Sequence, residues 1–153
     1  MDRAKLPVRR LAINLTTLII LVLAGAPAWA RGENLERFAR ELGLRDVAGF
    51  LEAVEALESD RRLPPRFVTK DQAERLGWRP GSDLWKVAPG KSIGGDRFGN
   101  REGQLPAASG RRFFEADLDY GGGARGAKRL VWSSDGRQWV TVDHYRSFRE
   151  VPK

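Results

Sequence analysis

Arg111-Arg112-Phe113-Phe114-Glu115-Ala116-Asp117-Leu118-Asp119-Tyr120 decides the fold. In an extended chain, Phe114, Ala116, Leu118 and Tyr120 fall on one side, and Phe113, Glu115, Asp117 and Asp119 on the other. The spacing predicts a β-strand with a core face and a wet face. After a glycine-rich loop, Lys128 to Ser133 repeats the pattern, with Leu130 and Trp132 inward and Arg129 opposite. Ser134-Asp135-Gly136-Arg137 then supplies a turn into a third strand, Gln138 to Thr141. Strands joined by turns this short form an antiparallel meander.

Upstream of Asp96 the period changes to that of helices. Leu35, Phe38, Ala39 and Leu42 recur at helical spacing, with Asn34 placed to cap the start and Gly43 to end it. A second helix follows Asp46, with Val47, Phe50, Leu51, Val54 and Leu57 on one stripe, and Leu63-Pro64-Pro65 breaks the chain after it. Thr69-Lys70-Asp71-Gln72 has the spacing of a capping box, and Gly77 stops the short helix it opens. Helices first and an antiparallel meander second make the fold class α+β, N-terminal helices on one face of a C-terminal sheet. No internal repeat or low-complexity segment interrupts it.

The N-terminus reads as an export signal. Met1 to Arg10 carries four basic residues against one acid, Leu11 to Ala26 is a mostly apolar run, and Ala28-Trp29-Ala30 places small residues at the two key positions before a cut. The expected domains are a signal peptide over 1–30, a helical extension over 31–44, and a main domain over 45–153. The expected location is extracellular, with no membrane attachment after cleavage near Ala30. An uncleaved anchor is the competing reading, but the run is short for a bilayer span of about 20 residues.

Loss of the leader removes four basic residues and one acidic one, so a net charge of +7 falls to +4. A basic exported chain suits an anionic partner such as nucleic acid. With no cysteine and a single histidine, disulfides, thiolate metal ligands and a histidine-rich metal centre are excluded. No metal and no cofactor are expected.

If the strands are neighbours, the face away from the helices collects Glu115, Asp117 and Arg129, with Arg125 on the loop and His144 just past the last strand. These groups can be a solvated face laced with ion pairs, or an acid–base pair beside phosphate-binding guanidiniums. Lys70 in the first turn of a helix opposes the macrodipole, yet with the free N–H groups there it makes an anion site. Lys91 to Gly103 is a glycine-rich loop in which Phe98 offers a stacking surface and Glu102 can accept from two adjacent N–H groups. It matches no Walker or dinucleotide pattern.

Four motifs in order carry a resemblance: Val87 to Asp96 (VAPGKSIGGD), Asn100-Arg101-Glu102-Gly103, Glu115-Ala116-Asp117, and Ser133-Ser134-Asp135 with Asp143-His144-Tyr145. From about Gly43 onward the chain closely resembles the barnase-like family of secreted, guanyl-preferring bacterial ribonucleases. The resemblance implies RNA cleavage through a 2′,3′-cyclic phosphate, with Glu115 as general base and His144 as general acid. Lys70, Arg125 and Arg129 would hold the phosphate, with Arg101 nearby and Asp117 steadying the two arginines. The backbone of Phe98, Gly99, Asn100 and Arg101 and the carboxylate of Glu102 would read guanine, helped by Tyr145 and the His144 ring. Arg111 and Asp135 would form a structural ion pair. It further implies RNA and a small acidic, barstar-like protein inhibitor as partners, and a monomer.

Four positions depart from the family. Gly99 stands where the family has serine and Ala124 where it has phenylalanine, so guanine preference is expected with altered strength. Arg137 and Gln138 replace leucine and isoleucine, which puts the packing of that strand in question. Residues 31–44 are an addition: a propeptide, a partner surface or a packed extra helix. A catalytically silent RNA- or inhibitor-binding relative is the alternative function. The complete set of Glu115, His144, Lys70, Arg125 and Arg129 argues against silence. A surface-bound structural protein would require the leader to stay in place.

Overall fold

The computed structural model describes residues 28–153. The apolar run of the leader lies outside the described residues, and Ala28, Trp29 and Ala30 form the first turn of α1 (Ala28–Glu41). Among the described residues, no helix is long and apolar enough to cross a membrane. The expected start at Asn34 is therefore too late. Asn34 lies inside the helix, where its side chain pairs with Arg37 instead of capping. The helix ends as the sequence predicts: Gly43 takes a φ of +67°, and the Gly43 and Leu44 N–H groups close on Arg40 and Ala39.

Helix α2 (Val47–Ser59) starts at Asp46, whose carboxylate accepts from Gly49 N. Its buried stripe is Phe50, Ala53, Val54 and Leu57, while Val47 and Leu51 are only partly covered. The reason is that α1 packs along α2 from one side only, with the Phe38 and Phe50 rings stacked at 6.1 Å. Leu35 and Ala39 of α1 are fully buried in the main core with Ala116, Leu118, Leu130 and Val140. Residues 31–44 thus contribute a packed helix.

Among the described residues, six strands form one sheet in chain order: β1 (Phe67–Val68), β2 (Ser92–Phe98), β3 (Phe113–Asp117), β4 (Arg129–Ser133), β5 (Gln138–Thr141) and β6 (Arg149–Glu150). Only β1 and β2 run parallel. The short edge strands β1 and β6 are too brief for a period to be read. Between β1 and β2 lie α3 (Lys70–Arg75), with the capping box complete at Thr69 and Gln72, and a 3₁₀ turn (Leu84–Lys86). A bulge interrupts the β2–β3 ladder at Gly95, whose φ of +100° needs glycine. The extra residue brings Asp96 opposite Glu115.

The alternation of β3 is correct, but its second face is not wet. Phe113 packs with Leu105, Val131 and Trp139 in a separate apolar cluster, and Glu115 and Asp117 are buried beside it. Loop 99–112, anchored by buried Leu105, covers that side of the sheet. Asp119 is also engaged: its carboxylate accepts from Arg45 N and Asp46 N at the start of α2 and from Lys128 Nζ. On the helix side, Phe114 and Trp132 are only half-buried, and Tyr120 packs on the smaller cluster around Trp78 and Leu84. Arg137 settles its strand by pairing both ways with Glu150 at 2.9 Å and lying over Trp139. Gln138 donates to Val54 O at 3.3 Å across the helix–sheet interface.

Candidate active site

Register places Glu115 and Asp117 on β3 beside Val131 and Arg129 on β4, all facing away from the helices. Glu115 is 7% exposed, and its two oxygens have different partners: Lys70 Nζ at 3.4 Å from one, Tyr145 OH at 2.7 Å on the other. Burial first, and then the hydrogen bond to Glu115, push the Tyr145 hydroxyl up to about 12. It therefore remains a donor to Glu115 throughout the neutral range.

Asp117 is the fixed point for the guanidiniums. Arg125 reaches it with two parallel bonds, Nε to Oδ2 at 2.7 Å and Nη2 to Oδ1 at 2.6 Å. Burial opposes the charge on Arg125, but the Asp117 hydrogen bonds and charge outweigh it and raise its affinity for the proton. Arg129 is 4% exposed, with Nε 3.0 Å from Asp117 Oδ1. That N–H is not aimed along the contact, so the pair is held by charge, while Nη1 donates to Gly126 and Lys128 carbonyls at 2.8 Å. A single buried carboxylate between two guanidiniums leaves a positive excess on this face.

His144 sits where β5 ends. Its φ is +57°, its N–H donates to Ala127 O at 3.3 Å, and its exposed ring leans on Tyr145 with centroids 5.0 Å apart. The carboxylate of the neighbouring Asp143 accepts from Thr141 Oγ1, Arg146 N, Ser147 N and Ser147 Oγ. The Ser147 hydrogen bonds are the largest influence holding the Asp143 carboxyl down to about 2. Asp143 thus fixes the turn that carries His144.

The anion expected at the start of α3 is supplied by the chain itself. Asp96 accepts from Lys70 N at 3.0 Å, which leaves the lysine side chain directed at Glu115. Sequence reading missed Asp96 and missed that Tyr145 is a partner of Glu115. The position of Asp96 depends on the bulge at Gly95, which no side-chain pattern announces.

Beside this cluster opens a cavity of about 880 Å³ lined by Phe98, Gly99, Asn100, Arg101, Glu102 and Tyr145, with Glu115 also in its wall. Asn100 has a φ of +45°, and its amide exchanges hydrogen bonds with the Leu105 backbone, bracing the loop. The Asn100 side chain is thereby occupied, whereas Arg101 and Glu102 are exposed. Phe98 is not a free stacking surface: its ring lies on Tyr145 at 5.3 Å and 18°, because the loop closes over the C-terminal turn. Arg111 joins Asp135 through Nε and Nη2, and that hydrogen-bonded arginine holds the Asp135 carboxyl down to about 2.

A family profile described as ribonuclease matches residues 52–152. The chain belongs to the ribonuclease family. It is similar to a ribonuclease of Heyndrickxia coagulans, 54% identical over 92 residues that cover 60% of this chain and 84% of that protein. Ribonucleases of Bacillus intermedius and Bacillus pumilus are equally similar over 92 residues, covering 57% of each of those longer proteins. This ribonuclease has the helix-on-sheet α+β fold of the microbial enzymes, and α1 stands wholly before the matched region.

Proposed function

We propose that this chain cleaves single-stranded RNA on the 3′ side of guanosine, without a metal, in two steps. The family makes RNA the substrate. The observation that carries the finer reading is the buried Glu115, hydrogen-bonded by Lys70 and Tyr145, one residue pair along β3 from an Asp117 that presents Arg125 and Arg129.

In the first step Glu115 accepts the proton of the ribose 2′-hydroxyl, and the 2′-oxygen attacks the adjacent phosphorus. The bond to the 5′-oxygen breaks as His144 gives that oxygen a proton, leaving a 2′,3′-cyclic phosphate. In the second step His144 takes a proton from water, whose oxygen opens the ring, and Glu115 returns its proton to the 2′-oxygen as a 3′-phosphate forms. Each such proton transfer supports about 10²–10⁴-fold in rate. Charge growing on the phosphoryl oxygens meets Arg125, Arg129 and Lys70, and Asp117 fixes the first two before substrate arrives. Arg101 lies at the cavity side of the same phosphate. The N–H groups of residues 98–101 and the Glu102 carboxylate fit guanine, which alone among the bases offers a ring N–H beside an amino group.

The presence of each group in this set supports turnover over the silent alternative. Exposed Arg101 and His144, with Arg125 and Arg129, also form a cationic face suited to a small acidic inhibitor. The test uses an RNA with a single guanosine. Cyclic and 3′-phosphate ends should appear after that base, EDTA should leave the rate unchanged, and methylation of its 2′-oxygen should abolish cleavage. Cleavage of the methylated strand would remove Glu115 from its role.

A further inference from the structure

The helix side of the sheet carries a feature that the reaction does not use. Arg97, Phe114 and Trp132 are register partners across β2, β3 and β4. Their side chains form a ladder on one face: the Phe114 and Trp132 rings stack at 5.8 Å and 23°, and the Arg97 guanidinium carbon lies 5.5 Å over Phe114. Both rings are half-buried, so each keeps an open surface.

Two cavities, of about 220 and 440 Å³, meet at this pair of rings and at Arg61; Arg62 borders the larger one. No aspartate or glutamate lines either. Arg61, Arg62 and Arg97 form no salt bridge among the described residues, whereas Arg66, Arg111, Arg125, Arg129 and Arg137 all do. Three uncompensated guanidiniums around stacked rings disfavour a basic partner and suit an anionic one. Arg97 also lines the active-site cavity, so the two places adjoin at this residue. Beyond Ile93, the outer edge of β2 is no longer paired with β1, which leaves no strand between the two faces there.

We propose that the Phe114–Trp132 pair, with Arg61, Arg62 and Arg97, is a second binding site for single-stranded RNA, taking a base and its phosphates from the part of the substrate beyond the scissile nucleotide. Aromatic faces in a cationic groove hold single strands without reading sequence, because every base has a face to stack. Guanidiniums facing phosphates make that binding salt-dependent. The site rests on the ribonuclease reading only for the identity of its strand.

The experiment compares the wild-type chain with R61A/R62A and with F114L. The dinucleotide guanylyl-uridine tests the reaction alone; a 12-nucleotide RNA with one central guanosine tests reaction and extension. Both variants should keep wild-type kcat/KM on the dinucleotide, and R61A/R62A should lose about tenfold on the 12-mer. Its binding to a 12-mer carrying 2′-deoxyguanosine should weaken, with a salt slope shallower by about 1.4 for two lost contacts. F114L should weaken that binding without changing the salt slope. Equal losses on both substrates, or unchanged 12-mer binding, would overturn the proposal. So would loss of self-association in the variants with RNA binding intact, which would assign the face to a second copy. Failure of the wild-type chain to cleave guanylyl-uridine would instead count against the reaction, and 12-mer binding would still decide the site.

Discussion

The two faces of β3 and β4 are built from alternate residues of the same strands, yet they are buried by different means. Toward the helices, Ala116 and Leu130 disappear into an apolar core with Leu118 just past β3 and Val140 of β5. On the other side, Glu115, Asp117 and Arg129 are nearly as inaccessible, although every one carries a formal charge. The first face is closed by hydrophobic transfer, which needs only shape and area. The second is closed by mutual satisfaction: each carboxylate has cationic or hydroxyl partners, because an unpaired charge there would be too costly to bury. A polar residue in the alternation therefore does not identify a wet face.

Glu115→Gln breaks the comparison at its most functional point. It keeps the volume and one acceptor but cannot take a proton, so cleavage should fall by about 10²–10⁴-fold while thermal unfolding changes little. Near-normal turnover in single-guanosine RNA assays would end the assignment of Glu115 as base.

A matched pair of substitutions then separates the two kinds of burial. Asp117→Ala strands Arg125 and the 4%-exposed Arg129, and should cost about 3–5 kcal/mol in urea unfolding, with activity lost in the fraction that folds. Leu130→Ala, fully buried on the opposite face, should cost about 2–5 kcal/mol, and the folded fraction should retain its kcat. If both variants left equal activity per folded molecule, the faces would not differ in function.

At the start of α3, Thr69→Ala removes the side-chain half of a complete capping box and should cost about 1 kcal/mol. It should also loosen Lys70, which raises KM more than it lowers stability.

The smallest effect lies in acid. Asp135 and Asp143 have folded-state carboxyls held down to about 2 from 3.8, so their contribution is complete above about pH 3.8 and disappears as pH falls through about 2. Asp143→Asn should flatten the stability profile between those limits and leave it unchanged at neutral pH relative to its own plateau. An acid limb as steep as in the wild type would show that the turn does not depend on that carboxylate.

Much of this molecule was legible from local pattern. The period-2 run 111–120 and its two successors were sufficient to define the meander, and Asp46, Thr69 with Gln72, and the glycines at 43 and 77 marked helix ends correctly, because caps are local hydrogen-bond problems solved by adjacent residues. The pairing of Arg125 and Arg129 with Asp117, and of Arg111 with Asp135, was expected from the family motifs and is present in the geometry. Other features were not legible. Asn34 has the right chemistry for a cap and lies mid-helix; Asp143 neighbours His144 in sequence but turns its carboxylate to Ser147.

What the sequence by itself determined is the order of elements, the two faces of each long strand and the chemical types available for a site, since these follow from periodicity and composition. What only the tertiary structure decided is which polar groups are buried and whom they face. Glu115 became a partner of Tyr145 and Lys70, Asp96 filled the start of α3, and the Phe114–Trp132 pair stayed half-open beside three arginines that form no salt bridge among the described residues. Those outcomes depend on a bulge at Gly95, on a loop folding over one face, and on how far α2 reaches across the other. Charge pairing acts over a few ångströms between residues far apart in the chain, and no local period encodes that distance.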